Sequence, residues 1–164
     1  MTKSSRTTRS SGKSAGRKPA GPARKGYRGP SRLITSDDLY LFNEGSHFRL
    51  YDKLGAHPLE AGGVHFAVWA PNAARVSVIG DFNDWRPERD VLEPAQSSGI
   101  WRGVVPDAAE GACYKFHVES NHSGYVVDKA DPFAFCTEEP PKTASVVWQS
   151  HHEWADTEWM TGRR

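Results

Sequence analysis

Val64-His65-Phe66-Ala67-Val68-Trp69, closed by Pro71-Asn72, alternates with a period of two. Successive strand side chains point to opposite faces, so Val64, Phe66 and Val68 share one face of a strand. Downstream, Val76, Val78 and Gly80 alternate with Ser77 and Ile79 up to a polar turn at residues 81–87. Residues 100–105 form a third run, ended by Pro106-Asp107. Tyr114, Phe116 and Val118 alternate with Lys115, His117 and Glu119 before a hairpin turn at 121–124, a return at 125–127 and a last run at 144–148. About six short strands separated by turn signals, with no long helix among them, predict a mainly β fold, an antiparallel immunoglobulin-like β-sandwich.

Upstream the period is different. Ser36-Asp37-Asp38 offers an N-cap and two first-turn acids, and Leu39, Phe42 and Gly45 fit a helix of about two turns. Phe48, Leu50, Tyr51 and Leu54 fall at helical spacing before Gly55, which predicts a second short helix. The predicted organisation is therefore a tail over 1–35, a helical preamble over 36–59, the sandwich over 60–150 and a linker over 151–164.

Charge divides the chain in the same way. Residues 1–32 hold ten Lys and Arg and no acid, whereas the other 132 residues hold 11 basic and 20 acidic side chains, or −9. The tail has no Leu, Ile, Val, Phe or Trp before Leu33, so it lacks the apolar surface to offset its ordering entropy and is expected to be disordered. Its lack of interleaved aromatics and the acidic globule argue against nucleic acid as a partner. No apolar run approaches the ~18–20 residues of a membrane span, and no hydrophobic segment follows the basic start as in a secretory signal. Two cysteines, Cys113 and Cys136, make no disulfide framework and are expected as free thiols in the cytoplasm.

Few residues here suggest catalysis. Asp81, Asp84, Asp128 and Asp131 lie beside turn signals and read as turn residues. His151-His152 are adjacent, so their side chains diverge, and no further ligand completes a metal site. Catalytic residues, metal and cofactor are all absent from this reading. Aromatic platforms are its substance instead. Trp85 ends the polar stretch Gly80-Asp81-Phe82-Asn83-Asp84-Trp85. It either folds back over the end of the sandwich or presents a face on which a sugar ring can stack. Lys115, on the polar face of its strand, and Tyr125, just past the following turn, are the other sugar-binding candidates; their plainer roles are a solvated lysine and a packed edge aromatic.

These residues carry a resemblance. Residues 40–45 (YLFNEG) and 51–58 (YDKLGAHP) resemble the preamble of bacterial 1,4-α-glucan branching enzymes. FAVWAPNA at 66–73 and VIGDFNDW at 78–85 resemble the family-48 carbohydrate-binding module. SGIW at 98–101, YKF at 114–116, KADPFAF at 129–135 and TASVVW at 143–148 continue the match in order. The resemblance implies a glycogen-forming parent enzyme that makes α-1,6 branches on a (β/α)₈ barrel by a retaining double displacement. Nothing in this chain aligns with that barrel's nucleophile or acid/base, so the chain alone is expected not to branch glucan. The resemblance implies α-glucan as ligand, at Trp85 and Lys115 and more loosely at Tyr125, and contact with a barrel that would follow residue 160. A free-standing glycogen-binding regulatory module and the module of a debranching hydrolase are the alternatives.

Overall fold

The computed structural model describes residues 33–152 and 155–163. Residues 1–32, the bulk of the segment read as a disordered tail, lie outside them. The chain opens with helix α1 (Ser36–Asn43), followed by strands β1 (Gly55–Pro58), β2 (Val64–Trp69), β3 (Ala73–Gly80), β4 (Asp90–Val91) and β5 (Glu93–Pro94). Strands β6 (Ile100–Val105), β7 (Cys113–Ser120), β8 (Val126–Lys129), β9 (Cys136–Thr137) and β10 (Ser145–Val146) come next, and helix α2 (Thr157–Gly162) is last.

The strands form two antiparallel sheets. One runs β1-β2-β6-β5; the other runs β4-β3-β7-β10-β9, with β8 also paired to β7. The chain changes sheet after β2, through Leu92 between β4 and β5, and after β6. Inner-facing residues follow the period of two. Val64, Phe66 and Val68 of β2 meet Val76 and Val78 of β3 and Tyr114 and Phe116 of β7 in the central core. Phe66 is its hub, with ring centroids 5.0 Å from Tyr114, 6.0 Å from Phe82 and 6.5 Å from Phe116. Burying each such ring stabilises the fold by roughly 1.5–3 kcal/mol. The immunoglobulin-like sandwich expected from the periodicity is the fold observed.

The region ahead of the sandwich differs in detail from its sequence reading. Thr35, not Ser36, caps α1: its hydroxyl accepts from the Asp38 N–H at 3.2 Å while the Asp38 carboxylate accepts from the Thr35 N–H at 2.8 Å. This reciprocal pair satisfies two backbone donors at once, which a Ser36 cap would forgo. The second helical segment is one 3-10 turn, Leu50–Asp52, and Phe48 points into solvent at 88% exposure. Gly55 does not end a helix; it takes a φ of +99° at the start of β1. β1 pairs with β2 along Gly55–Ala67 to Pro58–Val64, so the end of the helical preamble is an edge strand.

What the preamble does is cover the outer face of the first sheet. Ile34, Leu39 and Leu54 pack with Ala67, Ala95 and Ile100 in a second apolar cluster, flanked by Phe42, Leu50 and Phe133. Asp38 anchors this cover. Its carboxylate meets the Lys53 ammonium at 2.7 Å and the His47 ring at 3.0 Å. Burial alone would raise its pKa; hydrogen bonds from Lys53, Thr35 and His47 outweigh that and hold it well below the usual carboxylate range. Arg102, on the covered face of β6, donates to the Ile34 carbonyl. His57 and His65 sit side by side beneath the cover, in register across β1 and β2.

Candidate functional site

The loop after β3 is built to hold Trp85. Gly80 lies opposite Tyr114, and a Cβ there would strike the Cys113 carbonyl oxygen and the Phe82 ring, so only glycine admits this close approach. Phe82 turns inward to the core, while Asn83, 2% exposed, pins the loop from below. Asn83 accepts from the Gly80 N–H at 2.9 Å and donates to the Val78 carbonyl at 2.8 Å and the Asp90 carboxylate at 2.6 Å. Asp84 and Trp85 then take successive left-handed conformations, φ 57° and 59°. Such residues cost about 1–2 kcal/mol each, a strain the buried Asn83 network sustains.

These turns place the Trp85 ring at the surface, 39% exposed. Its indole N–H donates to one Asp81 carboxylate oxygen at 3.2 Å, and the other oxygen accepts from the Cys113 N–H at 3.0 Å. Asp81 therefore ties the ring to the first residue of β7. Two positions along that strand, Lys115 faces outward and its ammonium donates to the Thr143 hydroxyl at 2.8 Å. Trp85 and Lys115 thus occupy the same end of the second sheet, one presenting a flat ring and the other a positioned cation.

Tyr125 is not part of that end. Its carbonyl accepts from the Ser120 N–H at 2.8 Å, five residues along β7 from Lys115, or roughly 16 Å at strand spacing. It also lies on the other side of the sheet. Tyr125 lines a groove with Phe116 and Val118, whose parity on β7 is opposite to that of Lys115. It is 59% exposed, so it is not a packed edge aromatic.

Sequence reading missed the side chains that hold the site. Asp81 looked like a turn former and is the indole's acceptor; Thr143 carried no signal because its partner is 28 residues away. Asp128 is not in a turn but on β8, where it meets the His117 ring at 2.6 Å. Asp131 does shape its turn by accepting from the Phe133 N–H, yet it is buried and also accepts from the Tyr114 hydroxyl at 2.5 Å. Burial raises the pKa of both partners, and the neighbouring carboxylate adds to the effect on Tyr114.

The cysteines flank Val146, each in register with it from an adjacent strand. Two strand spacings separate them by about 9.5 Å, beyond the ~7 Å reach of a disulfide, and both are free. Burial, with the nearby Asp81 and Glu138 carboxylates, raises the pKa of the Cys113 thiol, which disfavours its reactive form. His151 lies against Glu110 at 3.0 Å. No described helix is long and apolar enough to cross a membrane.

Residues 53–134 match the model of carbohydrate-binding module 48, the isoamylase N-terminal domain. The chain belongs to the carbohydrate-binding module 48 family. Its module resembles that of the 1,4-alpha-glucan branching enzyme GlgB of Albidiferax ferrireducens, 54% identical over 132 residues, which cover 80% of this chain and 21% of that enzyme. The GlgB of Aromatoleum aromaticum is 53% identical over 131 residues, 79% of this chain and 20% of its own length. That of Aquifex aeolicus is 46% identical over 136 residues, 80% of this chain and 21% of the relative. The chain thus spans about a fifth of these branching enzymes and matches their amino-terminal portion. Among solved structures, ligand-free PulA carrying a point mutation, from Klebsiella pneumoniae, aligns at a TM-score of 0.50 and 24% identity, covering 59% of this chain and 10% of PulA. At that identity the likeness concerns the fold.

Proposed function

We propose that this chain is the accessory module of a 1,4-α-glucan branching enzyme, that it holds α-glucan, and that it supports a catalytic barrel without catalysing branching itself. The observation that carries the binding role is the surface indole of Trp85, fixed through Asp81 to β7, at the same end of the sheet as the Lys115 ammonium. A pyranose has an apolar C–H face that stacks on such a ring, and its rim of hydroxyls accepts from a positioned ammonium. Identities of 46–54% to branching enzymes over about 80% of this chain support the parentage. The bacterial glycogen enzymes among its relatives support a cytoplasmic setting. Residues 151–164 would lead to the barrel, with α2 lying inside that linker.

Glycogen co-sedimentation tests the binding role. Wild-type chain should be retained on glycogen. Trp85→Ala should weaken retention about 5- to 150-fold, the effect of losing one stacked ring worth ~1–3 kcal/mol. Wild-type protein that stays in the supernatant would refute the reading.

A further inference from the structure

Two cations clasp the cover over the first sheet, and a pair of histidines lies beside them. The Lys53 ammonium donates to the Leu33 carbonyl at 3.1 Å, and the Arg102 guanidinium donates to that of Ile34. These bonds hold the segment that leads into α1, and Lys53 also meets Asp38 on α1 itself. His65 of β2 is in register with His57 on β1 and with Val104 on β6, two residues from Arg102. Both rings are fully buried, and the His65 Nδ1 has no hydrogen-bond partner among the described residues.

The charges around His65 have one sign. His57 from β1, Arg102 from β6 and Lys53 from the loop after the 3-10 turn are the groups that act on it. Farther out, Asp38 of α1 is taken up by Lys53, His47 and the helix cap, and Arg49 pairs with Asp52 on the 3-10 turn. Glu93 of β5 is in register with Arg102, and no described carboxylate pairs with His65. A proton on this ring would place a third positive charge beside two fixed ones, in a dry site with nothing anionic to answer it. Burial, then His57, Arg102 and Lys53, lower its pKa from 6.5 to about 4 accordingly.

The cover is also separable from the sandwich. α1 and the 3-10 turn precede β1, belong to neither sheet, and bury Leu39 in a cluster distinct from the one around Phe66. Their departure would break no strand pairing.

We infer that residues 33–52 form an acid-released cover: protonation of His65 forces the Lys53 and Arg102 clasps off and lifts α1 from the first sheet while the sandwich stays folded. Release bares Ala67, Ala95 and Ile100, together with the Trp69 ring on which Phe42 packs. The docked form resists the proton down to about pH 4, whereas the released form accepts it near 6.5. Release therefore gains as pH falls through that window, by up to about 300-fold. The device lies on the sheet away from Trp85 and is independent of the glucan reading.

Hydrogen exchange of the full chain, corrected for the intrinsic pH dependence of exchange, tests it. Between pH 7 and 4.5 the protection of amides 39–44 should fall at least about tenfold, while amides 64–68 and 114–118 keep theirs. In the same samples the His65 ring resonances should titrate over the interval in which α1 loses protection. His65→Gln cannot take up the proton, so its α1 protection should stay level with pH; if that variant does not fold, the wild-type ring titration carries the comparison. Amides 39–44 that stay protected to pH 4.5, that fail together with the strands, or that lose protection out of step with the His65 ring overturn the inference. An unchanged pH response in a folded His65→Gln chain does so as well.

Discussion

The two outer faces of the sandwich are handled in opposite ways. On the first sheet, the face carrying His65, Ala67 and Ile100 lies under α1 and the 3-10 turn, and is dry enough to leave the His65 Nδ1 without a hydrogen-bond partner among the described residues. On the second sheet, the face carrying Arg75, Lys115, His117 and Glu119 buries Ser77 and Ile79 between them, leaves the Ser77 hydroxyl likewise without a partner among the described residues, and pairs its charges locally, Arg75 with Glu119 at 2.8 Å and His117 with Asp128 at 2.6 Å. The first face contributes to stability, and the second carries Lys115 of the proposed glucan site. Polar residues are present on both, so polarity by itself does not say which face meets water.

Perturbing the covered face should have the largest effect. Leu39, 3% exposed, is the one fully buried side chain of α1. Leu39→Ala should lower unfolding free energy by about 2–5 kcal/mol in urea titration; a loss below 1 would mean the helix is only loosely docked.

Acid should act next, and through the same face. Burial, followed by the positive charges of His57, Arg102 and Lys53, lowers the pKa of His65 from 6.5 to about 4. The folded state therefore disfavours the protonated ring. Its contribution is complete above pH 6.5 and is lost as pH falls toward 4, when the unfolded chain takes up a proton that the folded one resists. The loss should reach about 3 kcal/mol by pH 4. Unfolding followed between pH 7 and 4 should show it, and His65→Gln should flatten that part of the profile.

Removing the helix cap should be milder. Thr35→Ala forgoes the side-chain half of the capping pair and should cost about 1 kcal/mol by thermal melting. At Lys115 the expectation nearly vanishes: Lys115→Ala should change stability by less than about 0.5 kcal/mol while weakening glycogen retention. A large stability loss there would mean that the second sheet's outer face is structural after all, and the contrast between the faces would collapse.

Much of the sandwich was readable because a period of two is a local property. Phe66, Val78 and Phe116 announce their face by their immediate neighbours. β1, β4, β5 and β9 were not readable, because each is four residues or fewer and exists only through its partner's hydrogen bonds. The apolar spacing at 48–54 suggested a helix, yet tertiary packing takes Leu50 and Leu54 into the second cluster and leaves Phe48 outside. For the site, Trp85 was legible as an aromatic ring out of place in a polar turn, and Lys115 by its position on the polar face of its strand. That they share an end while Tyr125 does not depends on strand register, which no single stretch of sequence contains.

The Asp81 carboxylate bridging the Trp85 indole and the β7 backbone has a consequence for affinity. A freely rotating indole would surrender its rotamer freedom when a ligand arrived, at about 0.5–1.5 kcal/mol for such a side chain. Here the ring is already oriented in the empty chain, so that cost falls on folding instead of on association. On the proposed reading the module would meet a glucan preorganised, and the same bridge makes the shape of the platform hostage to the integrity of the loop that begins at Gly80.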